Sequence, residues 1–349
     1  MDWILYGATG YTGRLMAAEA ARRGLQPLLA GRDGAAVGAI AKSLQLEWKA
    51  FSLDDPQLLR EAIRGARVLL HCAGPFSVTA EPMMEACLAE GVHYLDITGE
   101  ISVFECAHGK TEVARRADVA LIPGVGFDVV PTDCLAASLV EALPAATELK
   151  LALEMTGGLS PGTAKTSIEG MRNGGRVRRD GKLKTVPLAW KTLLVPFAHA
   201  ERTAVTIPWG DVYTAFISTG VPDIEVYLSM PPGAIAWLRR LRWAQPLLGW
   251  RPLQTFLKGR VDRKLGGPTP EQRQASYGEL WGEAKSADGR TVSATMTTPN
   301  GYDLTVSAGL GIVEYLLENA VEGGYYTPSL LMGSGYAATL PGVSFKRVS

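Results

Sequence analysis

Residues 1–143 repeat one rhythm, a short apolar run followed by a stretch of helical periodicity. Strands are predicted at 3–6, 27–30, 47–52, 68–72, 93–96 and 119–122. Helices are predicted between them at 12–23, 36–44, 56–64, 81–90 and 104–117, and a further one at 131–143. The punctuation agrees. Gly24, Gly65 and Gly91 each follow a helix, where a left-handed residue closes the last turn. Asp55-Pro56 reads as an N-cap followed by a first-turn proline. Strands that alternate with helices must be joined by crossovers, so they run parallel, with helices covering both faces of the sheet.

From residue 148 the rhythm changes. Strands are predicted at 148–155, 204–207, 213–219, 224–229, 279–286 and 292–298 without regular crossovers. Arg179-Asp180-Gly181-Lys182 and Ala287-Asp288-Gly289-Arg290 carry Asp-Gly hairpin signals. A long helix is predicted over 302–322. The expected organisation is an α/β domain over 1–145, an α+β domain with a mixed or antiparallel sheet over 146–300, and a C-terminal helix and tail over 301–349 that return toward the first domain.

The first strand runs into Gly7-Ala8-Thr9-Gly10-Tyr11-Thr12-Gly13 and then a helix. Glycines let the backbone turn sharply and approach a pyrophosphate, and the N-terminus of the helix offers N–H groups and a positive dipole end. Strand, glycine loop and helix at the start of such a series predict a Rossmann-type, doubly wound dinucleotide-binding domain. The second strand ends Ala30-Gly31-Arg32-Asp33. Arg32 suits the 2′-phosphate of NADP(H), whereas an acidic residue there suits the ribose hydroxyls of NAD; NADP(H) is the expected cofactor. Cys72-Ala73-Gly74-Pro75-Phe76 ends the fourth strand and should line the cofactor crevice, with Cys72 a packing thiol.

Polar groups at later strand ends should also face that crevice. They are Asp96, Thr98 and Glu100, and Asp128 beyond the Pro123-Gly124-Val125-Gly126-Phe127 loop. Thr98, Gly126 and Phe127 are expected beside the cofactor. Each of these polar groups could be a general acid or could orient substrate or ribose, the alternative being a helix cap or loop hydrogen bond, and Glu100 and Asp128 are the leading pair. None of the eleven tyrosines has Lys four residues later, so the Tyr-x-x-x-Lys relay of short-chain dehydrogenases is missing. His71, His93, His108 and His199 are scattered, and no metal site is expected.

Thirty-five basic and 35 acidic side chains cancel over the chain. The halves differ: residues 1–150 carry 13 Lys/Arg against 19 Asp/Glu, and residues 151–349 carry 22 against 16. Overall neutrality argues against a general nucleic-acid binder. Two stretches are locally basic, 172–191 and 237–264, and the second interleaves Trp237, Trp243 and Trp250. Each reads as a solvated face, as a docking surface for an acidic carrier protein or an acyl-CoA phosphate, or as peripheral contact with anionic lipid. Cys72, Cys87, Cys106 and Cys134 form no CxxC pattern and read as free thiols. A strand begins at residue 3, so no signal peptide is expected, and no apolar run of about 18 residues suggests a span. A cytoplasmic protein is expected.

Together these segments resemble the saccharopine dehydrogenase-like NADP-binding family, in its trans-acting enoyl reductase and saccharopine dehydrogenase-like oxidoreductase branches. Tyr94-Leu95-Asp96-Ile97-Thr98-Gly99-Glu100 and Pro123-Gly124-Val125-Gly126-Phe127-Asp128 carry the resemblance beside the glycine loop. Ser160-Pro161-Gly162-Thr163, Arg172-Asn173-Gly174-Gly175, Thr219-Gly220-Val221-Pro222 and Gly323-Gly324-Tyr325-Tyr326-Thr327-Pro328 extend it through the chain. The resemblance implies a Rossmann domain with a substrate and dimerisation domain, and an NADPH-dependent oxidoreductase working as a homodimer. Reduction of a C=C bond in an acyl or polyketide-type substrate is the first expectation. Reduction of an imine to a secondary amine is the alternative, and a non-catalytic NADP(H) sensor or scaffold is an alternative of another class.

Overall fold

The computed structural model describes residues 2–158, 174–244 and 267–348. They divide into two compact units, residues 2–130 with Tyr302–Gly333, and Pro131–Gly301 with 334–348.

The first unit holds β1 (Trp3–Tyr6), α1 (Tyr11–Arg22), β2 (Leu28–Gly31), α2 (Gly34–Leu44), β3 (Trp48–Ala50), α3 (Pro56–Ile63), β4 (Val68–His71), α4 (Phe76–Glu90), β5 (His93–Asp96), α5 (Ile101–Gly109), α6 (Thr111–Ala117) and β6 (Ala120–Ile122). All strand pairs are parallel, in the order β6-β5-β4-β1-β2-β3, and a further short strand, Gly324–Tyr325, adds beside β6. β1, β2 and β4 are buried along their whole length, which is why they read as unbroken apolar runs. The predicted punctuation is present: Asp55 accepts from the Gln57 and Leu58 amides, and Gly91 closes α4 at φ 71°.

Some boundaries moved for tertiary reasons. α4 begins at Phe76, five residues before the predicted start, because a carboxylate from another segment caps it (below). The predicted helix over 104–117 is divided at Lys110 into α5 and α6. The helix predicted over 302–322 spans Gly301–Glu318, after which the chain turns back to pair with β6.

The second unit holds α7 (Val130–Ala142), β7 (Ala146–Met155), β8 (Gly175–Arg179), β9 (Lys182–Val186), β10 (Thr192–Pro196), β11 (Glu201–Thr206), β12 (Asp223–Ser229), β13 (Tyr277–Ser286) and β14 (Thr291–Pro299). Its sheet is mixed. β12 pairs parallel with β7, and the other pairs are antiparallel. The predicted turn at Asp180-Gly181 joins β8 and β9, with both residues at positive φ. The strand expected at 213–219 is instead the helix Asp211–Thr219. Its β-branched composition misled; Asp211, Val212, Thr214 and Ala215 are buried with helical spacing, and Gly220 closes the helix in the left-handed region.

Two domain boundaries are corrected. α7, expected to close the first domain, belongs almost wholly to the second unit, because Leu135 and Leu139 seat against Gly282 of β13, where a Cβ would lie 2.6 Å from Leu139 Cδ1. The tail is divided. Residues 302–333 join the first unit as expected, whereas Ser344–Val348 pairs with β14 in the second. Ser160-Pro161-Gly162-Thr163, Arg172 and Asn173 lie outside the described residues.

Gly323 leads into the short strand beside β6, and a Cβ there would sit 2.4 Å from the Ala114 carbonyl oxygen and 2.8 Å from the Val119 nitrogen. Gly323→Ala should therefore destabilise the protein by about 1–3 kcal/mol in urea unfolding. Gly109→Ala, which meets nothing within 4 Å, should not.

Candidate functional site

The glycine loop is held by close backbone contacts. The Gly7 and Ala8 amides donate to the Ala30 carbonyl at 2.8 and 3.2 Å, and the Gly10 amide donates to the Gly7 carbonyl at 3.0 Å. Gly7 has φ 88°, and a Cβ on it would lie 2.8 Å from the Ala73 nitrogen. A Cβ on Gly13 would lie 2.2 Å from the Gly7 oxygen. Both positions thus exclude any side chain, one by the left-handed backbone and the approach of the β4 loop, the other by the packing of α1 on its own loop. Gly10 is exposed and caps α1 without any side-chain hydrogen bond. An uncapped helix start beside a side-chain-free cradle suits a phosphate group. Ala8 is buried, Thr9 and Thr12 are half-buried, and Tyr11 stacks edge-on against Tyr302 at 4.9 Å.

At the end of β2, Arg32 and Asp33 do different work. Asp33 is the N-cap of α2 and accepts from the Ala36 amide at 3.0 Å. Its carboxylate is thereby committed to the helix, and Arg32, exposed beside Gly31, is the charged group that faces outward there.

The β4 loop, Cys72 to Phe76, runs against Gly7. Burial pushes the Cys72 thiol up, and its Sγ contacts Met16 Sδ at 3.6 Å. A thiol so held is a packing group, not a nucleophile. His71, absent from the sequence-derived candidates, is fully buried among the rings of Tyr6, Phe76 and Tyr94. Burial lowers its pKa to about 3, so it is neutral. Its Nε2 meets Thr79 Oγ1 at 3.0 Å, and that hydroxyl also reaches the Ala73 carbonyl at 2.8 Å, so His71 braces the loop.

Asp96 knits the crevice floor. Its side chain is fully buried and accepts from the Tyr94 hydroxyl at 2.7 Å, the Thr98 amide at 2.9 Å and the Gly124 amide at 3.0 Å. Burial raises its pKa to about 6 against the opposing pull of these donors. Thr98 is 1% exposed; its amide serves Asp96 and its Oγ1 accepts from the Glu100 amide, so it supports the turn.

Glu100, expected as a general acid, instead has a structural part. Its two carboxylate oxygens accept from the Phe76 and Ser77 amides, each at 3.0 Å, and cap α4. A carboxylate at a helix N-terminus is stabilised as the anion, which suits it poorly to give up a proton. The helix-cap alternative of the sequence reading therefore describes Glu100.

Asp128 is different. It is half-buried, and its carboxyl lies against Gly99, where a Cβ would fall 3.0 Å from Oδ2. Among the described residues its carboxylate accepts no hydrogen bond and pairs with no cation, and burial raises its pKa to about 6. The loop that carries it is tied down on either side. The Gly124 and Val125 amides donate to Asp96, and the Phe127 amide donates to Thr305 Oγ1 at 2.9 Å. Thr305 also lies 3.0 Å from where a Gly126 Cβ would sit. Phe127, expected beside the cofactor, buries its ring and spends its amide on Thr305. Thr305 sits 178 residues along the chain from Phe127, so no local signal marks it. Among the described residues no cluster of His, Cys, Asp or Glu could hold a metal ion.

The basic stretch 172–191 changes character in the fold. Arg178 is buried, stacks 4.0 Å over the Phe216 ring and donates to the Val212 and Gly181 carbonyls. Arg179 and Lys191 both pair with the buried Glu225, and Lys184 pairs with Asp180. Much of its positive charge is thus satisfied internally, which argues against the docking reading of that stretch.

Known proteins agree with this geometry. Residues 3–120 match the family described as "Saccharopine dehydrogenase NADP binding domain". The chain is 32% identical over 150 residues to the human saccharopine dehydrogenase-like oxidoreductase, covering 37% of this chain and 35% of that protein. It is 31% identical over 185 residues to a Mycobacterium tuberculosis protein provisionally named a trans-acting enoyl reductase, covering 48% of this chain and 43% of that one. The matches thus span less than half of the length of these relatives. Among solved structures, the L-Glu-forming saccharopine dehydrogenase of Saccharomyces cerevisiae shares the fold at TM-score 0.66 and 11% identity, each chain covered completely. The homospermidine synthase of Legionella pneumophila shares it at 0.68 and 9%, covering 99% of this chain and 91% of that one. The likeness to the saccharopine dehydrogenase NADP-binding family is thus carried by residues 3–120 of the first unit.

Proposed function

We propose that this protein is an NADP(H)-dependent reductase that acts on a C=C bond of an acyl or polyketide-type substrate. The observation that carries the reading is the pairing of a side-chain-free phosphate cradle with an unpartnered carboxyl, Asp128, on a rigid loop of the same unit. Gly7, Gly10 and Gly13 let the backbone approach the pyrophosphate, and the start of α1 faces its charge. Arg32 takes the 2′-phosphate, since Asp33 is engaged in capping α2. Ala73, Gly74 and Pro75 form the wall on the β4 side. NADPH, when bound, supplies a hydride to the substrate carbon. Asp128 then supplies a proton from its carboxyl to the other carbon and recovers it from solvent. The likeness to the mycobacterial relative supports the enoyl form of this reading.

A second reading is reduction of an imine to a secondary amine. The loops at the ends of β4, β5 and β6 contain Asp96, Glu100 and Asp128 and no Lys or Arg. An iminium is cationic and would be favoured by an Asp128 carboxylate.

The pH dependence separates the two readings. As proton donor Asp128 must be protonated, so the rate with enoyl thioesters should fall as pH rises through about 6. As a counter-charge to an iminium it must be ionised, and the rate with a keto acid and an amine should rise through the same value. NADPH oxidation on both substrate panels across pH 5–8 reads this directly. Tight NADPH binding without turnover on either panel would leave a sensor or scaffold.

The folded-state pKa of Asp128 lies above that of a free carboxyl. Its ionisation therefore costs stability, and the penalty grows as pH rises from about 4 and is complete just above 6. Asp128→Asn should be about 1–3 kcal/mol more stable than the parent at pH 8 in urea unfolding, with the gap closing below pH 4. Arg32→Ala should weaken NADPH binding by about 10- to 100-fold and leave NADH binding nearly unchanged. Equal losses would remove Arg32 from the phosphate site.

A further inference from the structure

The helix Pro232–Leu241 and the short turn Arg242–Ala244 that follows it have two apolar faces. The inner one is ordinary. Ile235 is buried and packs with Ala189 and Val205, with Met230 and Leu238 beside them. Arg239 and Arg242 fasten the helix from above by donating to the carbonyls of Leu188 and Ala189. The outer face of such a helix should be polar. Here Trp237 is 58% exposed and Trp243 is 93% exposed. Trp237 and Arg240 lie three residues apart on neighbouring positions of the helix surface, and Trp243 follows in the short turn.

The charge along this segment of the sequence has one sign. From residue 226 to residue 261 the sequence contains no Asp or Glu and six Lys or Arg. Whereas 172–191 contains Asp180, which pairs with Lys184, this segment contains no acid of its own. Residues 245–264, with Trp250, lie outside the described residues, and only their composition enters here. No described helix is long and apolar enough to cross a membrane.

We infer that the helix Pro232–Leu241 docks in the interfacial plane of an anionic lipid bilayer, with Trp237 and Trp243 at headgroup depth and Arg240 on the phosphates. Indole rings are favoured at that depth because one edge is apolar and the N–H is wet. Each cation near an anionic surface adds further attraction that salt screens. An acidic protein would satisfy the arginines, but it would have to cover two outstanding indoles as well; a bilayer accepts both without a shaped pocket. The inference is independent of the reductase reading, because it uses no residue of the first unit.

Vesicle flotation of the full chain tests it. The protein should float with phosphatidylcholine vesicles containing phosphatidylglycerol, and not with phosphatidylcholine alone, and the bound fraction should fall as salt is raised. Trp237→Ser/Trp243→Ser should weaken vesicle binding by ~10-fold or more, and Arg240→Glu should weaken it too. The melting temperature and NADPH affinity of both variants should match the parent, which shows that they fold. No flotation at low salt, or flotation indifferent to the double substitution, overturns the inference. So does a parent dimer that the double substitution dissociates, since the two tryptophans would then join two copies.

Discussion

The buried side chain of Asp96 is the contact on which the rest of the candidate site depends. It ends β5, and it holds the loop after β6 by accepting from the Gly124 amide, while its own backbone carbonyl takes the Val125 amide. Hydrogen bonds to a charged acceptor in a dry site are worth about 1.5–3 kcal/mol each, and here they offset the burial that raises the Asp96 pKa to about 6. Three residues beyond Val125 stands Asp128, whose position is set by that anchor on one side and by Thr305 on the other. A carboxyl can be left without a partner only where its backbone is so constrained; otherwise it would turn toward solvent or a cation.

The carboxylates of the first unit therefore divide by what they have already bound. Asp33 and Asp55 cap helices, Glu100 caps α4 across a gap of more than twenty residues, and Asp96 gathers three donors. Each is engaged in holding the fold. Asp128 alone among the strand-end carboxylates accepts no hydrogen bond among the described residues. The same principle sorts the cations of the second unit. Arg178, Arg179 and Lys191 are drawn inward by carbonyls, rings and Glu225, whereas Arg240 stands beside two exposed indoles.

The glycine loop shows why so much of this was readable. Gly7 and Gly13 are required by contacts within the first strand-loop-helix unit and with the neighbouring β4 loop, so a local pattern carries the information. The alternation of apolar runs and helical stretches likewise follows from burial on both faces of a parallel sheet, and six of its strands stand where the pattern put them. Glu100 was misjudged for the opposite reason. Its partners lie 23 and 24 residues back along the chain, and a capping carboxylate and an acid-base carboxylate look alike until the distance to an amide is known.

The sequence by itself determined the Rossmann-type first unit, its glycine loop and the mixed character of the second sheet, because periodicity and glycine placement are local consequences of backbone geometry. Tertiary structure alone decided which acid is idle, that Asp33 yields the outward position to Arg32, that residues 213–219 coil into a helix, and that α7 and the last strand join the second unit. Those outcomes rest on contacts between segments far apart in the chain, where burial and hydrogen-bond partners, rather than residue type, assign each side chain its part.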